Sequence, residues 1–241
     1  MSAILTPARK PAGFFPNSGF GFIALFLIAI IGFWKPYFAL KFGDIDRYTH
    51  IHAVTMVVWC LLLIGQALLV RLGNRALHKK IGFAAYALGP VIMASIFLLS
   101  HNRIMKHRAE VTAEHSNLLF VQLGTLVIFS FAYLLAMYKK NDPAIHARAM
   151  IGTSLTMINP SLARWFIFYL PPIPHAELIN YAATLGVLVA LMVFERKARR
   201  GRWVFPVMTG LFIVYFVGTL TVANSEWWRR FAIWFAGLPM T

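Results

Sequence analysis

The sequence predicts an all-α fold, a polytopic membrane bundle of seven transmembrane helices with the N-terminus inside and the C-terminus outside. Three observations predict it. Of 241 residues, 59% are hydrophobic and only 13% charged, and the mean hydropathy is +0.68, a composition unsuited to a water-soluble domain. Seven apolar stretches each approach the roughly 20 residues that an α-helix needs to cross about 30 Å of hydrocarbon. The basic residues are unevenly shared between the segments that join them, and alternating strand patterns are missing, which argues against a barrel.

The stretches run over residues 20–40, 48–70, 81–100, 117–138, 147–170, 176–194 and 203–223. The first follows Arg9 and Lys10 as a signal peptide would. It continues into Trp34, Lys35 and Pro36 rather than into small residues at a cleavage site, so it is expected to be a retained helix. The fifth contains Asn159-Pro160, where a kink is expected. Residues 224–241, with Trp227, Trp228, Arg229, Arg230 and Trp234, are expected to lie at the outer interface. No polar tract is long enough for a second domain, so 1–241 is a single transmembrane domain with its core at 48–202.

Orientation follows from charge. With the N-terminus inside, the inner segments hold 14 Lys and Arg against Asp142 and Glu195, and the outer segments hold 9 against 6 carboxylates. Retention of Lys and Arg on the cytoplasmic side favours this arrangement. The formal net charge of +15 is thereby explained by a lipid bilayer with anionic headgroups, and nucleic-acid binding is not expected. Cys60 is the only cysteine, which excludes an intrachain disulfide and a C-x-x-C-H haem attachment.

The second stretch carries the most specific pattern. His52, Trp59 and Gln66 are spaced by seven, which brings them within about 40° of one another on a helix, and Thr55 and Met56 join that face. Such a polar seam is costly in hydrocarbon and is expected to face the bundle interior. Four histidines, His52, His78, His115 and His146, fall at four successive helix ends, and a short echo links Leu68-Leu69 before His78 with Leu134-Leu135 before His146. The plainer reading of an interfacial histidine beside Lys or Arg is a headgroup contact or a helix cap.

The run His52, Trp59, Gln66, Leu77-His78-Lys79-Lys80-Ile81-Gly82, His146-Ala147-Arg148-Ala149-Met150, Asn159-Pro160 and Arg164 resembles a widespread group of uncharacterised bacterial multi-pass proteins over residues 49–202. The resemblance implies the bacterial inner membrane and no particular activity. Members often carry an acidic residue and a His-Pro pair at the sixth-to-seventh junction, where this chain has Glu195 and Val204-Phe205-Pro206.

The histidine layout is more distantly similar to that of cytochrome b561-type proteins. That resemblance implies haem b held by His52 with His115 at the outer side and by His78 with His146 at the inner side. It further implies electron transfer with a quinone or another redox partner. Arg164 would then contact a haem propionate, a quinone carbonyl or an acidic substrate group; outward snorkelling is its plainer role.

Two other classes stay open. The outer segments gather histidines and carboxylates, so His52, His101 and His115 could bind zinc in an intramembrane hydrolase, although the last stretch lacks the histidine that seven-helix hydrolases of the ceramidase type use. A non-catalytic accessory subunit of a larger membrane assembly, or an orphan bundle, fits the abundant aromatics, 21 Phe and 7 Trp. A retinal protein is excluded because residues 203–223 contain no lysine for a Schiff base.

Overall fold

The computed structural model describes residues 17–241, all helices and connections with no strand among them. Arg9 and Lys10, on which part of the orientation argument stands, lie outside the described residues. The helices are α1 (Ser18–Phe33), α2 (Arg47–Arg71), α3 (Arg75–Gly82), α4 (Ala85–Met105), α5 (Ala113–Tyr138), α6 (Pro143–Leu155), α7 (Ile158–Phe168), α8 (Ala176–Phe194), α9 (Val204–Thr221) and α10 (Glu226–Ala236). A π-helical turn at Trp34–Phe38 extends α1.

Six helices are long and apolar enough to cross a membrane: Ser18–Phe38, Arg47–Arg71, Ala85–Met105, Ala113–Tyr138, Ala176–Phe194 and Val204–Thr221. The protein is therefore a multi-pass membrane protein by the length and composition of its helices. Where one continuous fifth span was expected, the chain forms α6 and α7, of 13 and 11 residues, separated at Thr156 and Met157. The cause is Pro160. It lacks the N–H that would reach the Thr156 carbonyl, and a new helix starting at Ile158 puts it in a first turn, where that N–H is not needed.

The third expected stretch begins differently as well. Gly73, at φ +74, turns the chain after α2, and the Asn74 side chain caps α3 by accepting from the Leu77 amide at 3.1 Å. The segment between the second and third expected stretches is thus a short helix. Every residue of 71–80 is exposed except His78, which faces inward.

In a bilayer, helix association depends on close packing more than on removing apolar surface from water. The most extensive helix packing is α5 against α6. Ala132, Ala136 and Ala149 are wholly buried there, and Gly152 comes so near that a Cβ would lie 3.3 Å from that of Ala132. Gly89 on α4 likewise lets the Tyr133 ring of α5 lie flush, since a Cβ would meet that ring at 2.2 Å. Tyr133 then donates its hydroxyl to the Ala85 carbonyl at 3.1 Å.

One interior layer joins α2, α4 and α5 through Trp59, Leu63, Ile92, Ile96, Phe129 and Tyr133. A second joins α5, α6, α8 and α9 around Ile128, Leu155, Leu188, Phe205, Met208 and Phe212. Helix α10 lies across α4 and α5, burying Trp228 and Phe235 while Trp227 and Trp234 stay exposed.

Candidate functional site

The polar seam of α2 is turned into the bundle at all three levels. At one end, the Ser95 hydroxyl on α4 donates to the Ile92 carbonyl at 2.8 Å, so its oxygen is left to accept from His52 Nδ1 at 3.1 Å. His52 Nε2 then carries the lone pair. Thr55 donates to the His52 carbonyl at 2.9 Å and packs beside Ser95. Two turns along, Trp59 is fully buried and donates its indole N–H to Thr153 Oγ1 on α6 at 3.3 Å. Its ring meets Phe129 and Tyr133 edge-on, forming an aromatic layer across the middle of the bundle.

Below that layer is the third level, the His78 end. With its amide nitrogen toward α3, Gln66 donates to Nδ1 and to the carbonyl of His78, and its oxygen accepts from the Gly82 amide at 3.0 Å. His146, in the first turn of α6, donates from Nδ1 to the Ala136 carbonyl at 2.9 Å. The two imidazoles are close enough to interact electrostatically. A groove of about 400 Å³ between α2 and α3 is lined by Leu61, Leu62, Gly65, Leu68, Leu69 and Ile81, and by neither histidine. That volume falls within the range of roughly 300–1,000 Å³ usual for small-molecule sites.

No protein-family model, curated protein or solved structure matches this chain. The site therefore rests on its own residues.

At the His52 end, Arg103 of α4 and Arg164 of α7 both lie within electrostatic reach of His52 and of each other. Arg164 donates to the Pro160 carbonyl at 2.7 Å and stacks over Phe33 at 4.2 Å. Asp46 caps α2 by accepting from the Tyr48 and Thr49 amides, takes the Asn102 amide at 3.1 Å, and sits 3.6 Å from Lys106. Partial burial alone would raise the Asp46 carboxyl. The Thr49 and Tyr48 hydrogen bonds and the Lys106 charge outweigh it and hold the group below its ordinary value.

His115, the expected partner of His52, is engaged elsewhere. It completes a capping box with Thr112, and its ring stacks on His107 at 3.7 Å between centroids. His101 is fully buried, bonded through Nδ1 to Thr241 Oγ1 at 2.6 Å and edge-on to Phe235. His52, His101 and His115, the expected zinc set, thus address three separate groups of partners. Among the described residues, no cluster of three or more His, Cys, Asp or Glu is placed to hold a metal ion.

Arg103, Ser95 and the ion pair of Arg148 with Glu195 were not singled out from sequence. Arg148 is 2% exposed, bonds the Glu195 carboxylate through Nε and donates to the Ala144 carbonyl at 2.6 Å. Gly201, at φ +71, brings the following loop onto it, because a Cβ there would lie 2.8 Å from Arg148 Nη1. The signal was faint: Arg148 resembles any basic residue at an inner helix end, and its partner lies 47 positions away.

Proposed function

We propose that this chain is a seven-crossing protein of the bacterial inner membrane that transfers electrons through a b-type haem held by His78 and His146. One observation carries the reading. The imidazoles of His78 and His146 are near enough to interact electrostatically, and His146 is engaged through Nδ1, so that its Nε2 is the nitrogen left for iron.

Donation from Nδ1 to a backbone carbonyl is the support typical of a metal-ligating imidazole, and His146 has it. His78 Nδ1 instead accepts from Gln66, so its proton sits on Nε2, and ligation of iron by His78 requires that proton to leave Nε2 with Gln66 giving up its present contacts. Bound haem supplies reversible one-electron chemistry. The chain's own residues fix the imidazoles and, through Trp59, Phe129 and Tyr133, keep water out of the middle of the bundle.

In this reading α6 and α7 jointly make the seventh crossing, since their 13 and 11 residues extend about 36 Å at 1.5 Å per residue. The excess of Lys and Arg puts the His78 end in the cytoplasm. A quinone or a periplasmic redox protein then exchanges electrons with the chain, and the exposed aromatic helix faces admit neighbouring membrane subunits. The pair of His52 with His115 is not part of the proposal, because Thr112 and His107 occupy His115.

The test is haem quantitation on protein purified from cells supplied with haem precursor. One haem per chain supports the reading. Folded protein without haem overturns it in favour of an accessory role.

A further inference from the structure

The structure assigns a second site to the contact between α7 and α8, where the side-chain oxygens of Asn159 and Asn180 coordinate an alkali-metal cation. The hydrogen bonds come first. Asn180 of α8 donates its side-chain amide to the Asn159 carbonyl of α7 at 3.0 Å, and only its nitrogen can do so, which fixes the orientation of the carboxamide. Thr184, one turn further along α8, donates to the Asn180 carbonyl at 3.3 Å. The two asparagines are buried, at 6% and 5% exposure, and the Oδ1 of each has no hydrogen-bond partner among the described residues.

A buried acceptor that is left unpaired has lost its hydration without replacement, and few native side chains are placed so. Here two residues in direct contact, one on each helix, show it together. The interruption at Thr156 and Met157 adds backbone oxygen three residues before Asn159, because Pro160 has no N–H for the Thr156 carbonyl. Broken membrane helices use freed carbonyls of this kind, with buried polar side chains, to coordinate monovalent cations.

The donor set selects the class of ion. Neutral carbonyl-type oxygens are ligands for sodium and potassium. Calcium and magnesium favour carboxylates, and zinc and copper take nitrogen or sulfur, none of which this pair offers. Glu177 lies three residues before Asn180, hence on the same side of α8 and one turn nearer its start, and it is exposed. Its carboxylate, 3.6 Å from the exposed His175, draws a cation toward Asn180 from that end of the helix.

The test uses full-length protein in nanodiscs, melted in sodium, potassium or choline chloride at one ionic strength. The melting temperature should rise saturably with sodium or potassium and not with choline. Asn180→Leu should raise the cation concentration needed by at least about ten-fold. Asn159→Asp, which keeps the shape and the backbone carbonyl and adds a negative charge, should lower it; circular dichroism establishes that each variant is folded. Equal melting in all three salts would overturn the site and leave the two oxygens to a structural water. A sodium or potassium response unchanged in folded Asn180→Leu, or weakened in folded Asn159→Asp, would overturn it as well.

Discussion

Gln66 of α2 and His78 of α3 are joined side chain to side chain and side chain to backbone, and the Gly82 amide completes the third contact of the same carboxamide. A residue in the core of a membrane-spanning helix thereby holds a short amphipathic helix and orients the imidazole it carries. Replacing Gln66 by Leu should cost about 1–3 kcal/mol by leaving those groups unpaired. Hydrogen exchange should locate the loss in α3, with the amides of α5 and α9 unchanged.

The buried pair of Arg148 and Glu195 ties α6 to the end of α8. Glu195→Ala should destabilise the protein by about 3–5 kcal/mol, because the arginine keeps its charge and loses its carboxylate. Replacing both residues by apolar ones of similar volume should restore most of the loss. Thermal melting of the single and double variants in one detergent checks the difference.

Gly89 is the point where α4 touches α5 through the Tyr133 ring. Gly89→Val forces the two helices apart and should cost about 1–3 kcal/mol. Gly186, with nothing within 4 Å of a built Cβ, is the control, and its replacement by Ala should be neutral or slightly stabilising.

Asp46 gives a pH dependence with a definite sign. Its carboxyl is held below 3.8 in the folded protein, so its contribution is complete above that value and is lost as pH falls through the lower folded one. Melting temperature should drop on acidification below about pH 4. Asp46→Asn, which keeps the helix cap, should flatten that part of the profile.

Much of the fold was legible because membrane helices advertise themselves by length and apolarity. The span expected at 176–194 coincides with Ala176–Phe194, and the seven-residue spacing of His52, Trp59 and Gln66 was enough to predict one inward face. Asn159-Pro160 marked a disturbance without showing that the helix would stop and restart. Tertiary proximity was hidden: nothing in the spacing tells that Arg103 and Arg164 approach His52, or that His115 turns to His107 and Thr112. Those contacts depend on helix rotation and on the break after α6, which hydropathy does not encode.

The central claim is that His78 and His146 together ligate one haem iron. Reduced-minus-oxidised visible spectra of the purified wild type and of His78→Ala, His146→Ala and His115→Ala test it most directly. The account predicts a sharp α-band in the wild type, its loss in the first two variants and its survival in the third. A folded wild type with no such band after haem supplementation, or a band lost only in His115→Ala, would contradict it.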